Sequence, residues 1–219
     1  MKNALEELFQ KSTSASQYAR GYATHLSQVL QTMDFAAVER MVDLIAASRE
    51  KGQTVFFIGN GGSASTCSHF ATDLGNLAAE GAKPFRALSL TDNTAFITAL
   101  SNDDGFENVF VNQLRNLFRP GDLVVAISGS GNSENIVRAV RYVNENKGVT
   151  FGIVGFDGGL LKSLCHHVLH VPTKPQEYGP VEDVCLVLDH MVGTYLMYRE
   201  GLFTKSDRHP CNRMSSVPE

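Results

Sequence analysis

The chain has few of the features that mark a secreted, membrane-bound or disulfide-stabilised protein. Its four cysteines in 219 residues include no CxxC pair, and this low density argues against a disulfide scaffold. No signal-peptide pattern opens the sequence, and no apolar run approaches the roughly 20 residues that a membrane-spanning helix needs. We therefore expect a cytoplasmic protein with reduced thiols and no membrane partner.

The sequence also lacks an excess of positive charge. It has 19 Lys and Arg against 23 Asp and Glu, and its net charge of −4 at pH 7 argues against a nucleic-acid partner. Low-complexity linkers and clear internal repeats are absent as well. The length and the hydrophobic content of 43% suit one α/β domain with a sizeable core.

Apolar residues recur at helical spacing near the N-terminus and then fall into short runs between amphipathic stretches. The N-terminal part predicts three helices, the third of them capped by Asp34. Five short strands are expected at residues 54–58, 85–90, 123–127, 150–154 and 168–171. Helices are expected to begin near Ala64, Thr94, Asn108, Glu134 and Gly159, and a long final helix should cover residues 181–198.

Strands that are short, apolar on both faces and separated by helices predict a parallel sheet covered on both sides. The expected fold class is α/β, a three-layer sandwich with a five-stranded parallel sheet flanked by helices and preceded by N-terminal helices. Ligands of such sheets bind beyond the carboxyl ends of the strands. Two loops rich in glycine and serine fall at that edge, which makes it the candidate site.

One of these loops, at residues 127–135, reads Ile-Ser-Gly-Ser-Gly-Asn-Ser-Glu-Asn and joins an apolar strand to a helix. Its hydroxyls, from Ser128, Ser130 and Ser133, stand where backbone N–H groups and the helix dipole favour an anion. The lysine of a Walker loop and the GxGxxG motif of dinucleotide sites are both missing. The loop therefore favours a phosphate monoester, and a simple helix-capping turn is the alternative.

The other loop, Gly-Asn-Gly-Gly-Ser at residues 59–63, leads into a helix that carries His69 and Asp73. These two residues are four apart, so their side chains share a face and can approach one ligand or metal. A surface His–Asp pair without function is the alternative.

The final predicted helix carries Glu182 and His190, about 12 Å apart along the helix axis and near the same face. Asp183 and Asp189 on this helix are compatible with a solvated surface. Together with the pair on the earlier helix, the set contains two imidazoles and two carboxylates. It suits zinc or another divalent first-row metal, and it equally suits general acid–base catalysis without metal.

The two loops, in this order, resemble those of the sugar isomerase (SIS) domain family. The His-Phe-Ala segment at residues 69–71 and the terminal His190 resemble the phosphoheptose isomerase group in particular. That group interconverts sedoheptulose 7-phosphate and a heptopyranose 7-phosphate in bacterial heptose synthesis. The resemblance extends to about Tyr198. It divides the chain into an N-terminal helical segment (1–50) that packs on the domain and on partner subunits, a SIS domain (51–200) and a C-terminal tail (201–219).

The resemblance implies an isomerase that works through an enediolate, with Asp73 and His190 as catalytic residues. It implies metal ligands at His69, Asp73, Glu182 and His190, with zinc as the cation, and a homotetramer that shares active sites between subunits. The residues implied to bind the sugar phosphate are Asn60, Gly61, Gly62, Ser63, Asp92, Asn102, Asp103, Ser128, Gly129, Ser130, Ser133 and Glu182.

Two positions depart from the family pattern. Asp73 stands where the family has a catalytic Glu, and Glu182 stands where it has a Gln. The added carboxylate favours a divalent cation, because without one the two carboxylates would raise each other's pKa. A non-catalytic SIS module, either a sugar-phosphate sensor or a protein associated with a replication initiator, is one alternative function. An isomerase that acts on another sugar phosphate, such as a different heptose or a pentose, is another.

Overall fold

The computed structural model describes residues 3–78 and 82–204. Most of the predicted tail, including Cys211, lies outside the described residues. None of the helices in the described part of the chain is long and apolar enough to cross a membrane.

Three helices open the chain, as predicted. They are α1 (Ala4–Lys11), α2 (Ala15–Gln31) and α3 (Phe35–Lys51). Each begins at a residue whose side chain accepts a hydrogen bond from a first-turn backbone N–H, namely Asn3, Ser14 and Asp34. The N-cap predicted at Asp34 is therefore confirmed. Gly52 ends α3 in the left-handed conformation, at φ 68°, which glycine adopts without strain.

Five parallel strands form the central sheet, in the order β3-β1-β4-β5-β6, and two further strands pair antiparallel. The strands are β1 (Thr54–Gly59), β2 (Leu77–Ala78), β3 (Arg86–Ser89), β4 (Leu123–Ser128), β5 (Val149–Val154), β6 (His167–His170) and β7 (Phe203–Thr204). Every predicted strand is present, with each end within one residue of its predicted position. The short β2–β7 pair was not predicted.

The remaining helices cover both faces of the sheet, which confirms the three-layer α/β fold. They are α4 (Gly62–Asn76), α5 (Thr94–Asp103), α6 (Val109–Leu117), α7 (Glu134–Glu145), α8 (Leu161–Leu164) and α9 (Tyr178–Arg199), with a 3₁₀ turn at Phe106–Asn108. Helices α3, α4 and α9 pack on one face, and α6, α7 and α8 pack on the other. Because both faces are covered, every residue of β1 and β4 is buried. Helix α9 begins three residues earlier than predicted, since Pro180 is tolerated in a first helical turn.

The order of the strands reverses between β1 and β4. The chain leaves β1 through α4 toward β3, and it leaves β4 through α7 toward β5 on the other side. The two loops therefore diverge onto opposite faces and leave a crevice at the carboxyl edge, which is where doubly wound sheets bind ligands. The two glycine- and serine-rich loops border this crevice.

Three cysteines, Cys67, Cys165 and Cys185, are buried and free within the described residues. Burial raises the pKa of the Cys165 and Cys185 thiols to about 12, so neither side chain is a thiolate at neutral pH. These thiols belong to the core and not to the site chemistry.

A buried carboxylate ties the beginnings of β1 and β4 together. Asp122 accepts hydrogen bonds of 2.8 Å from the backbone N–H groups of Thr54 and Arg119. We expect Asp122→Ala to lower the free energy of unfolding by about 3 kcal/mol, because it leaves both donors unsatisfied. Chemical denaturation measures this loss. The control Glu7→Ala removes an exposed carboxylate paired with Lys174 and should cost less than about 1 kcal/mol. Equal losses in the two variants would contradict the assignment.

Candidate functional site

The serine loop is held in shape by contacts of its own backbone. The Gly131 N–H donates to the Ser128 hydroxyl at 3.1 Å, and Gly131 has a positive φ of 65°. A Cβ at Gly131 would overlap the carbonyl oxygen of Gly158, so the loop backbone packs directly on a neighbouring loop. Only glycine satisfies both the conformation and the close approach.

Ser133 precedes the first turn of α7, where a serine normally accepts a hydrogen bond from the helix. Within the described part of the chain its side chain makes no such capping bond. Its hydroxyl is therefore available to a ligand, whereas the Ile136 N–H of the first turn already donates to the Ser133 carbonyl at 3.0 Å. The helix dipole favours an anion at this position. The neighbouring Glu134 does not bring an isolated negative charge, because it pairs with Arg138 at 2.7 Å.

An amide pair joins the two loops across the crevice. The Asn60 side chain donates to Asn135 at 3.0 Å, and the Asn135 side chain donates back at 2.9 Å. Asn135 is buried and Asn60 is half-buried, so this reciprocal pair is partly shielded from water and fixes the distance between the loops.

Most of the predicted phosphate and sugar residues border one cavity of about 240 Å³ at this point. The lining residues are Asn60, Gly61, Ser63, Ile127, Ser128, Gly129, Ser130, Ser133, Ile136, Tyr178 and Glu182. Tyr178 was missed by the sequence analysis because it lies before the predicted start of the final helix. Its ring packs edge-on against Phe156, with ring centroids 4.9 Å apart.

Four predicted residues are outside this lining. Gly62 opens α4, and a Cβ there would overlap the Glu182 carboxylate, which rests against the first turn of that helix. Asp92 is exposed and accepts a hydrogen bond of 2.5 Å from Ser68. Asn102 and Asp103 are exposed at the end of α5 and bond to each other at 2.8 Å. The structure therefore does not bring Asn102 and Asp103 to the cavity of their own chain.

A second polar site lies farther along α4 and α9. His69, Asp73, Asp189 and His190 each offer one ligand atom, and these four atoms lie within 4.8 Å of one another. The His69 Nε2 atom is 3.6 Å from Asp73 Oδ2 and 3.8 Å from Asp189 Oδ2. The rings of His69 and His190 are 5.1 Å apart at 77°. Of the four predicted metal ligands, the structure brings three together, and Glu182 is not a member of the group of four.

Asp189 is fully buried, so the expectation of a solvated surface at this position is wrong. Its two carboxylate oxygens have no hydrogen-bond partner among residues 3–78 and 82–204. Burial, followed by the charge of Asp73, raises the pKa of Asp189 to about 7. The signal was in the sequence: Asp189 is four residues after Cys185 and eight after Val181, so it shares their buried face.

The N-terminal helices anchor the start of α9 and thereby position Glu182. The buried Glu177 carboxylate accepts hydrogen bonds from the backbone of Ala4 at 2.6 Å and of Lys174 at 3.1 Å. The Tyr22 hydroxyl donates to Asp183 at 2.6 Å, and burial together with this bond raises the pKa of Tyr22.

Helices α4 and α9 lie side by side and run in the same direction, since Gly62 meets Glu182 at one end and His69 meets Asp189 further on. His69 follows Ser63 by six residues, or about 9 Å along the helix. The seam, which is the contact between α4 and α9, therefore runs from the serine-loop cavity to a cluster of titratable groups over the length of a small molecule.

Comparison with known proteins agrees with this arrangement. The SIS domain model matches residues 17–155, which is more than half of the chain. Phosphoheptose isomerase from Nitratidesulfovibrio vulgaris is 33% identical over 182 residues, covering 82% of this chain and 86% of the relative. The chain is a member of the phosphoheptose isomerase family of SIS domain proteins. The family predicted from the two loops and the predicted isomerase activity are thereby confirmed.

Two further relatives support the family assignment and the fold. Phosphoheptose isomerase from Aquifex aeolicus is 34% identical over 149 residues, covering 68% of this chain and 77% of the relative. The solved phosphoheptose isomerase from Neisseria gonorrhoeae superposes with a TM-score of 0.73 at 27% identity, over 83% of this chain and 97% of that one. The SIS fold predicted from the sequence is therefore confirmed.

The uncapped hydroxyl of Ser133 gives a test of the anion site in this isomerase family member. We expect Ser133→Ala to raise the dissociation constant for inorganic phosphate about tenfold, because a hydrogen bond to a charged group is lost. Stability should hardly change, since this serine caps no helix. Titration calorimetry and thermal unfolding measure the two effects.

Ser14→Ala is the matched control for this prediction. Ser14 caps α2 by accepting a bond of 3.2 Å from the Gln17 N–H, so its loss should cost about 1 kcal/mol of stability and leave phosphate binding unchanged. If Ser133→Ala behaved like Ser14→Ala, the Ser133 hydroxyl would be a structural group and not a ligand contact.

Proposed function

We propose that this protein is an aldose–ketose isomerase that converts sedoheptulose 7-phosphate into D-glycero-D-manno-heptose 7-phosphate. One observation carries the proposal: an anion cavity and a cluster of acid–base groups lie along one helix seam, about 9 Å apart. The six C–C bonds between the two ends of a seven-carbon sugar span roughly 7–8 Å. A phosphate in the cavity therefore places the far end of the sugar at the cluster.

The serine loop supplies the binding energy that positions the substrate. Ser128, Ser130 and Ser133 donate to the phosphate oxygens, together with the N-terminus of α7. Asn60 and Ser63 line the sugar next to it. Binding energy gained at the phosphate holds the reacting carbons in place, although the phosphate does not react.

The chemistry is a proton transfer between two neighbouring carbons. Asp73, which is half-buried, removes a proton from C1 of the ketose, and the C2 carbonyl oxygen takes up a proton to give the enediol. His190, which is exposed, acts as the acid–base partner: the O1 hydroxyl loses its proton while C2 gains one, so the aldehyde forms at C1. Atoms balance without any added oxidant or reductant.

A divalent cation fits the residues of the cluster, and we propose zinc. The donor set of imidazoles and carboxylates matches zinc chemistry, and a buried carboxylate without a hydrogen-bond partner in the described residues calls for a positive charge. His69, Asp73 and His190 would hold it. When bound, the cation supplies a Lewis acid for the oxygens of the enediolate. We assign Glu182, which lines the phosphate cavity, to substrate binding.

The proposal also includes a homotetramer. Exposed apolar side chains of α3 and α9, including Phe35, Met191 and Tyr195, border a groove of about 420 Å³ that a second copy would cover. In a tetramer that shares active sites, the exposed residues Asn102 and Asp103 would contact the substrate in the cavity of another subunit.

Assembly is tested by the molar mass in solution. We expect light scattering to report a tetramer of the wild type, and Tyr195→Glu to shift the population toward smaller species, because it buries a charge in an apolar contact. The control Tyr142→Glu alters a half-buried tyrosine of α7, away from the groove. A monomeric wild type would refute the tetramer.

Turnover of sedoheptulose 7-phosphate by zinc-loaded protein tests the proposed function. We expect aldose product from the wild type and a loss of at least about 100-fold in kcat for both Asp73→Asn and His190→Gln, since each removes a proton-transfer group that is also a proposed metal ligand. The control His167→Gln changes a histidine of β6 and should keep kcat within about twofold.

Two other outcomes of this experiment would distinguish the candidate functions. A zinc-loaded wild type that leaves sedoheptulose 7-phosphate unchanged refutes this substrate. Phosphate binding without zinc binding or turnover would instead favour a non-catalytic SIS module, which needs the serine cavity but has no use for the paired histidines.

A further inference from the structure

One group of the site has no role in the chemistry proposed above. Asp189 is the residue of the cluster that water does not reach: its exposed fraction is 0%, against 43% for the His69 side chain and 36% for that of Asp73. Neither carboxylate oxygen finds a hydrogen-bond donor within the described chain, and the approach of His69 Nε2 at 3.8 Å is beyond hydrogen-bond distance. A buried carboxylate left in this state destabilises a fold, and a positive charge beside it would remove that cost.

The cluster lies close to the geometry that would compensate it. Ligand atoms of tetrahedral zinc, at about 2.0–2.2 Å from the metal, lie roughly 3.3–3.6 Å from one another. The distances from His69 Nε2 to Asp73 and to Asp189, 3.6 and 3.8 Å, are at or slightly above the upper end of this range, and all four ligand atoms lie within 4.8 Å of one another. Asp189 approaches from the core, whereas His69, Asp73 and His190 approach from the solvent side.

Glu182 lies elsewhere on the same helix. Its carboxylate rests against the first turn of α4 at Gly62 and borders the phosphate cavity. It precedes Asp189 by seven residues, which is about 10 Å along the helix. A cation held by the three outer ligands therefore has a carboxylate beside it in Asp189 and not in Glu182.

We propose that Asp189 is a direct ligand of the divalent cation, beside the outer residues His69, Asp73 and His190, and that Glu182 is left to the substrate. The inference rests on the metal site of the proposed function and adds a ligand that the family resemblance does not supply. Two carboxylates and two neutral imidazoles balance the charge of the cation, and the buried carboxylate anchors it to the core of the domain.

Zinc binding to the metal-free protein tests the assignment, with Asp189→Asn as an isosteric variant. We expect the dissociation constant for zinc to rise at least about 100-fold, because loss of even an outer-shell partner costs 10–100-fold. We also expect the rise in Tm that zinc gives the wild type to disappear. The metal-free variant should unfold at the same or a higher temperature than the metal-free wild type, since it no longer buries an unpartnered carboxylate. Loss of a merely structural residue would instead lower the Tm of both the zinc-bound and the metal-free protein.

Two more variants keep the result interpretable. If Asp189→Asn does not fold, Asp189→Leu replaces it, because it places an apolar side chain of similar size at the buried position. We expect Asp189→Leu to lose zinc binding in the same way. Asp183→Asn is the matched control on the same helix, where the carboxylate bonds to Tyr22, and it should bind zinc with wild-type affinity. The visible spectrum of the cobalt-substituted protein should change in the Asp189 variants and not in this control.

The assignment is overturned if Asp189→Asn binds zinc as the wild type does, if Asp183→Asn loses zinc equally, or if the wild type binds none. Turnover is scored separately. A wild type that binds zinc through Asp189 but does not convert sedoheptulose 7-phosphate refutes the proposed function and supports the ligand. A wild type that converts the sugar while Asp189→Asn keeps its zinc affinity refutes the ligand alone.

Discussion

The parallel pairing of β1 with β4 is the constraint on which the rest of the site depends. These two strands are neighbours in space but not in sequence, and their register from Val55↔Leu123 to Gly59↔Ile127 places their carboxyl ends at the same level. The loop after each strand must then begin at the same edge, one turning onto each face of the sheet. The half-buried Asn60–Asn135 amide pair fixes the loops at that separation. The geometry of the crevice is thus a consequence of how the sheet is ordered.

The contact between α4 and α9 contains both stabilising apolar side chains and a buried carboxylate that destabilises the fold. Most of the contact is apolar, with Phe70 and Leu74 from α4 and Leu188 and Val192 from α9 in one core cluster. Asp189 interrupts this apolar surface with a charge that the described chain does not satisfy. Proteins retain such a local conflict where it serves the site, because elsewhere an apolar residue would be more stable.

The strands and the loops could be predicted because both depend on local sequence. Apolar runs set the strands, and hydroxyls at a strand-to-helix turn indicated the anion site. The remaining features depend on how helices pack. The sequence placed Glu182 and His190 near one face of α9, but only the packed structure determines which carboxylate meets His69. The charge of Asp189 was compatible with a solvated surface, whereas its spacing from Cys185 and Val181 places it on the buried face. Tyr178 was missed because the start of α9 was predicted too late.

The short β2–β7 pair has a consequence for the dimensions of the site. Strand β2 follows α4 directly and β7 follows α9, so their pairing joins the two helices at the end opposite to the serine-loop cavity. Glu182 rests against Gly62 near the other end, so α4 and α9 are in contact at both ends of the seam. The distance between the cavity and the cluster is therefore set by the packing of two helices, and a change in loop sequence would leave that distance unaltered.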